Sequence, residues 1–508
     1  MAGPVIDTDA GRVRGTRSGR LGVWRSIPYA AAPTGDLRFR APQPVVPWTG
    51  VREATEFGAA CPQDRRLLRL GPRTVQRADE DCLSLNVTAP LDAGPPRPVL
   101  VFIHGGAYVF GSSATPVYDG RPLAERGDAV IVTINYRLGV FGYLDPSGYS
   151  SPDRPLETNL GLRDQIAALK WVRSNIAAFG GDPDAVTIFG ESAGGSAVTA
   201  LMAAPGARGL FHRAIAQSPA VDLVLTSEQS RYFGRGLVEL LGADPDDAEA
   251  ARRALTESDQ WELFRAGRRL GGRANRATPG LMPFGTVVDG LALPAHPLDA
   301  ARAGHTHPVP LVIGTNRDEG TLFPKALDAL PQTPERIDRL FARTEPEAQD
   351  RILAAYPGYP DADAAIALGA DFTLWAPTVE FSAAHAAHAP TFAYRFDYAP
   401  PVLHWLGLGA THASELLAVF GYGDSAAGRL LTLPGGRGGL AAVTADIQDR
   451  WLGFARTGRP GPDWPHYSAE RRITRIFDTV PATAHDPHRV RRLAWAGYRG
   501  YRDWRPAA

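Results

Sequence analysis

Three side-chain types in this chain could together move an acyl group: a hydroxyl, an imidazole and a carboxylate. The hydroxyl is Ser192, in TIFGESAGGSA from Thr187 to Ala197. Gly190 and Gly194 flank it, so the segment matches G-x-S-x-G with Glu191 and Ala193 at the variable positions. A serine between glycines also fits a flexible loop. Here an apolar run precedes it and a helix-forming run follows. At such a strand-to-helix turn the serine backbone is strained, and its Oγ stands above a helix N-terminus that favours developing negative charge. A second glycine turn, His104-Gly105-Gly106-Ala107, closes the apolar run Val99 to Ile103. Glycines there let consecutive N–H groups aim at one point, as an oxyanion hole requires. Gly105, Gly106 and Ala193 are assigned as its donors, and His104 is read as structural.

Twelve histidines compete for the role of base. His412 stands apart in GLGATHASELLAVFG, with a small-residue loop before it and an apolar helix pattern after it. His385, His388 and His404 are near in sequence but lack that setting. The acid should follow a strand between Ser192 and His412. PLVIGTNRDEGTLF offers Asp318 and Glu319, and spacing alone leaves both open.

These groups need a rigid frame. Short apolar runs at Val99 to Ile103, Val130 to Asn135, Val186 to Phe189, Ala214 to Gln217, Val309 to Gly314 and Phe392 to Phe396 read as buried parallel strands. Helical patterns separate them. One of these, LGLRDQIAALKWVRSNIAAFGG, carries Ile166, Leu169, Val172 and Ile176 on one stripe and stops at Gly180-Gly181. Strands alternating with helices predict an α/β fold with a large, mostly parallel sheet covered on both faces. The order serine, acid, histidine fits the α/β-hydrolase arrangement. VIDTDAGRVRG predicts a small N-terminal antiparallel hairpin turning at Asp9-Ala10-Gly11. Residues 1–508 are expected to form a single domain, with helical insertions around 241–280 and 325–390 that could cap one end of the sheet. LPGGRGGLAA, from Leu433 to Ala442, is predicted to be a flexible loop.

Composition narrows the partners. The chain has 508 residues, with 54 basic and 54 acidic, so nothing steers it to nucleic acid or an anionic membrane. No apolar run is long enough for a transmembrane helix. The N-terminal stretch lacks the pattern of a signal peptide, which points to the cytoplasm. Cys61 and Cys82 keep a secreted form open. A small-molecule partner is expected, with the chain as a monomer or small homo-oligomer.

The motifs together resemble the type-B carboxylesterase/cholinesterase family, most like its bacterial para-nitrobenzyl-esterase-type members. The resemblance runs through GRVRG, IPYAAAPTGDLRFRAPQP, EDCLSLNV, FIHGGAYVFGS, NYRLGVFGYL, the long segment ending in FGESAGG, QSPA, GTNRDEG, GATHASEL and WLGFARTGRPGPDWP. It implies that Glu319 is the acid and that Asp318 is its neighbour. It also implies oxyanion donors at Gly105, Gly106 and Ala193, in a loop associated with bulky alcohol groups. The activity it implies is that of a serine carboxylesterase of broad specificity, with Glu191 and Ser218 supporting the triad and no metal or organic cofactor. Family members often bridge the pair matching Cys61 and Cys82. Two departures limit the transfer. The interval between those cysteines contains no aromatic residue, which disfavours a choline ester, and Pro219 follows Ser218 where the family usually has glycine.

Tyr108, Phe110, Phe284, Trp375 and Phe381 are the candidates for an aromatic substrate pocket, Trp375 foremost because DFTLWAPTVEFSAAHA resembles the family's acyl-side segment. A neutral His412 predicts activity rising between about pH 6 and 8. An amidase, carbamate hydrolase or lactonase could use the same triad. A non-catalytic binding protein of this fold is disfavoured because Ser192, Glu319 and His412 are all present.

Overall fold

The computed structural model describes residues 3–69, 74–326 and 328–506. Its frame is an eleven-stranded sheet. In chain order the strands are β1 (Thr16–Ser18), β2 (Leu21–Pro28), β3 (Ser84–Pro90), β4 (Arg97–Ile103), β5 (Val130–Ile134) and β6 (Gly181–Glu191). They continue with β7 (Arg213–Gln217), β8 (Leu311–Asn316), β9 (Thr391–Phe396), β10 (Ile473–Phe477) and β11 (Ala482–His485). Across the sheet the order is β11-β10-β9-β8-β7-β6-β4-β5-β3-β2-β1. The seven strands from β10 to β5 in that order run parallel, and antiparallel pairs finish both edges.

All six expected strands are present. β5 is buried at every position, as a strand covered on both faces must be. Side-chain alternation divides the interior. Ile103 and Ile188 face one layer, while Phe102 and Phe189 face the other with Phe420 and Trp451. Register then decides where function can sit. Ile103 pairs with Gly190, Glu191 with Gln217, and Gln217 with Gly314. The carboxyl ends of β4, β6, β7 and β8 therefore line up, and the turns that leave them meet at one edge, the usual ligand position in such sheets.

The hairpin forms as expected, with Val5–Thr8 paired to Gly11–Arg14 and Gly11 in positive φ. Helix α1 (Leu160–Asn175) passes into a 3-10 turn that ends at Gly180, in left-handed conformation. Ile166, Leu169, Val172 and Ile176 are all buried. Helix α2 (Ala193–Ala203) leaves β6 at Ser192, and α3 (Gln260–Ala277) and α4 (Ala376–Ala386) lie mainly in the two helix-rich regions. Leu433–Ala442 corrects the sequence reading. Its second half opens the 21-residue helix α5 (Arg437–Thr457), with Gly436 in left-handed conformation at the N-cap. Packing explains the glycines there. A Cβ at Gly439 would lie 2.8 Å from Cε2 of Tyr398, so the residue allows α5 to close on that ring. Tertiary contact outweighs the low helix propensity.

A buried ion pair fixes the loop after β5 to α1. Arg137 donates from Nε and Nη2 to Asp164 at 2.8 and 2.6 Å, and both side chains are almost fully enclosed. Removing one partner would leave an uncompensated buried charge. Asp164→Ala should therefore lower unfolding stability by about 3–5 kcal/mol in urea denaturation. A loss under 1 kcal/mol would show that the guanidinium finds water or another acceptor.

Candidate active site

The turn after β6 is locally strained. Ser192 has φ 58° and ψ −124°, a region L-residues rarely adopt. Its N–H donates to the Gln217 carbonyl at 2.9 Å, which fastens the turn to β7. Glycine is required on both sides. A Cβ at Gly194 would overlap the Ile103 carbonyl oxygen, and one at Gly190 would overlap the backbone of Gly194. The turn after β4 presses in from the neighbouring strand. A Cβ at Gly105 would lie 2.6 Å from the Glu191 carbonyl oxygen and 3.0 Å from Ser192 Cβ. Gly106 has φ 113°, open only to glycine. Gly105, Gly106, Ala193 and Ser192 all line one cavity. His104 lies behind this turn. It stacks on Tyr136 with ring centres 4.5 Å apart, and burial pushes its pKa down to about 4.

His412 enters the same cavity from the loop after β9. Its Nδ1 is 2.6 Å from Glu319 Oε2. The other carboxylate oxygen, Oε1, accepts from Ser218 Oγ at 2.5 Å and from Asn316 N–H at 2.7 Å. Pro219 does not displace this serine, which holds φ 43° while its N–H donates to the Gly314 carbonyl. Asp318 has a different task. Its Oδ2 accepts from Ala410 N–H at 2.9 Å, and its own N–H donates to the Ala410 carbonyl, clamping the histidine loop. Geometry thus separates the two acids that spacing left open. The free edge of the ring, Nε2, faces Glu191 Oε1 at 3.2 Å. No hydrogen bond joins it to Ser192 Oγ among the described residues, a contact that commonly tightens only when substrate is bound.

A third carboxylate, Glu415, lies behind the ring. It accepts from Asn316 Nδ2 at 2.6 Å and from Gln217 Nε2 at 3.2 Å. Sequence reasoning passed over Glu415. Its place three residues after His412, on the turn entering an apolar helix, was the available signal. Burial opposes charge on His412, but Glu191, Glu319 and Glu415 outweigh it and raise the imidazole pKa above the ordinary 6.5. Burial also raises Glu191, against the pull of His412. With His412 as the base, the activity limb expected between about pH 6 and 8 should lie higher.

The cavity holds about 470 Å³, within the range of ligand pockets. Of the five aromatic candidates, Phe110 alone lines it. Tyr108 is fully buried and stacked on Tyr143 at 3.9 Å. Phe381 is also in the core, against His385. Phe284 lines an adjoining pocket beside α3, which shares Leu281, Met282 and Ala329 with the main cavity. Trp375 faces a small separate pocket near β9. The segment carrying Trp375 does reach the cavity, through Phe372, Thr373 and Leu374. A π-turn over Asp371–Trp375 rotates these residues inward and the tryptophan out, which periodicity does not reveal. Phe323, whose ring is 5.1 Å from His412, lines the cavity too, as do Tyr118 and Tyr501.

Cys61 and Cys82 are buried thiols. The neighbouring Cys61, together with burial, pushes the Cys82 thiol well above its ordinary value. Residues 70–73 of the interval between them lie outside the described residues. No described helix is long and apolar enough to cross a membrane.

The model of the carboxylesterase family matches residues 2–488. The chain is 37% identical to the para-nitrobenzyl esterase of Bacillus subtilis (strain 168), over 97% of this chain and 98% of that protein. A solved thermophilic PNB esterase superposes with a TM-score of 0.87 at 36% identity, covering 96% of this chain and 99% of the other. The carboxylesterase of Geobacillus stearothermophilus superposes with a TM-score of 0.83 at 38% identity, covering 97% and 99%.

The carboxylates around His412 generate a pH prediction. If the ring must be neutral to accept a proton, the rising limb of kcat/KM lies above 6.5. Glu191→Gln removes one anion beside Nε2 and should move that limb downward, towards 6.5. An unmoved or upward-shifted limb would contradict the assignment of Glu191 as a source of the shift.

Proposed function

Because this chain belongs to the carboxylesterase family, we propose that it hydrolyses carboxylic esters through an acyl-enzyme formed on Ser192. The reading is carried by one observation. The Glu319–His412 pair meets the strained Ser192 turn and the Gly105, Gly106 and Ala193 amides at one cavity. Ser192 Oγ attacks the ester carbonyl carbon while His412 Nε2 takes its proton. Glu319 fixes the tautomer by accepting from Nδ1–H and stabilises the imidazolium. The three amides bind the oxyanion. As the tetrahedral intermediate collapses, the carbonyl–alcohol oxygen bond breaks and His412 returns its proton to the departing alkoxide. Water then repeats the sequence on the acyl-enzyme, releasing the acid and restoring Ser192.

The supporting residues divide the remaining work. Ser218 and the Asn316 amide hold Glu319 in position, and Asp318 holds the loop that carries His412. The chain acts as one domain, in which the 325–390 insertion supplies cavity wall through Ala329, Leu330, Phe372 and Leu374. A largely apolar wall discriminates between substrates by only ~1–3 kcal/mol per methylene, so acyl and alcohol chains of varied length should be accepted.

Ser192→Ala tests the reading. It should lower kcat for p-nitrophenyl butyrate by at least about 10⁴-fold while leaving the circular dichroism spectrum unchanged. Turnover within tenfold of the parent would refute the nucleophile assignment.

A further inference from the structure

A second, apolar pocket stands against the Ser192 cavity and takes no part in the reaction. It holds about 240 Å³. Its walls are the face of α3 that carries Phe264, Gly267 and Gly271, the loop after β5 at Leu138 and Val140, and Val109 just beyond the oxyanion turn. Leu281, Met282 and Ala329 border both volumes, so the two share a wall.

Two glycines keep the α3 wall low, for different reasons. A Cβ at Gly267 would lie 2.6 Å from Cγ1 of Val140, so that residue lets the helix close on the loop after β5. Gly271 is on the same face one turn later. A Cβ there would meet no atom within 4 Å. Packing therefore does not require glycine at 271, and glycine in a helix interior is less stable than alanine. The space it leaves adds to the pocket that it lines.

The lining restricts what could bind. The polar side chains that border the pocket have partners elsewhere. Asn275 Nδ2 donates to the Asp328 carbonyl at 2.7 Å, and its Oδ1 accepts from Arg336. Arg268 is largely exposed, with its guanidinium 3.9 Å from Asp64. The remaining surface, with Val109, Leu138, Phe141, Phe264 and Phe284, is hydrocarbon. A charged or hydrogen-bonding group would be desolvated there without return, whereas an aliphatic chain loses nothing.

Position selects the arm of the ester. The departing alcohol takes its proton from His412, so it lies at the imidazole. Among the described residues, the pocket is lined by none from the histidine loop. It is lined by Val109, whose N–H donates at 2.9 Å to the carbonyl of Gly106, an oxyanion donor. The acyl arm is bonded to the carbon that bears the oxyanion.

We propose that this pocket is an annex for the distal end of a long aliphatic acyl chain, entered beside Met282, whose unbranched side chain has the freedom to turn aside. The proposal rests on the esterase reading and deepens it, because it makes esters of long-chain aliphatic acids the preferred substrates.

The chain-length profile of kcat/KM for p-nitrophenyl esters from acetate to dodecanoate, each below its aggregation limit, tests the annex. Every methylene that enters it should raise kcat/KM about fourfold. Gly271→Leu fills the annex. It should leave acetate and butyrate within about twofold of the parent and lower decanoate and dodecanoate by at least about tenfold, the value of two or more methylenes. Phe264→Ala enlarges the annex and should extend the rising part of the profile to longer acids, which keeps the test decisive if Gly271→Leu does not fold. A parent profile that falls beyond butyrate, a loss equal at every chain length, or long-chain turnover unchanged in the folded variants overturns the annex. Alkyl butyrates of matched length separate the two arms. If Gly271→Leu selectively loses the long alkyl butyrates and keeps the long acyl esters, the acyl assignment is overturned. Turnover of p-nitrophenyl butyrate that depends on Ser192 persists through all of these failures, and its absence marks failure of the esterase reading instead.

Discussion

The close approach of two backbone turns is the constraint on which the rest of the site depends. The turn after β4 and the turn after β6 pack so tightly that side chains at Gly105, Gly190 and Gly194 would collide with backbone. Parallel register sets this up by pairing Ile103 with Gly190. The strain at Ser192 and the place of Gly105, Gly106 and Ala193 on one cavity wall follow from the same contact. Such strain persists only where the surroundings over-determine it, and here a hydrogen bond to β7 and a fully buried helix α2 do so.

Electrostatics form the second tier. Glu191, Glu319 and Glu415 are all nearly enclosed, and all act on one imidazole. Such a cluster is tolerable because two of the three carboxylates have hydrogen-bond partners of their own. Ser218 and Asn316 serve Glu319, and Asn316 and Gln217 serve Glu415. Glu191 is the exception. Its Oε1 has no hydrogen bond apart from its charge contact with His412, so the protonation of these two groups is joined. The cluster favours the charged ring, which assists the imidazolium formed during proton transfer and delays the neutral base on the acidic side.

Local signals made much of this legible in the sequence. Apolar runs bounded by glycine marked the parallel strands, because strands covered on both faces cannot alternate. The G-x-S-x-G turn and the glycine pair at 105 and 106 were readable because backbone crowding tolerates no other residue. The choice between Asp318 and Glu319 came from family resemblance and not from spacing, since adjacent residues on one turn differ only in direction. What stayed hidden was tertiary. Trp375 and Phe372 are three residues apart, and a π-turn decides which meets the cavity. Tyr108 is one of the five aromatic candidates, yet with positive φ its ring packs in the core against Tyr143. β10 is not among the expected strands. Arg475 interrupts its apolar run, and only the fold supplies Asp446 and Asp463 as that residue's partners. The glycines at 435–439 read as a loop because contact with Tyr398 is invisible without coordinates.

The proposed chemistry requires a covalent bond to one hydroxyl. Rapid acid quench during turnover of a p-nitrophenyl ester, followed by proteolysis and mass spectrometry, reads that bond directly. The acyl mass should appear on the peptide containing Ser192 and accumulate when Glu319→Gln slows the water step. Acyl mass on any other residue, or ester turnover with no acylated peptide at any quench time in either protein, would contradict it.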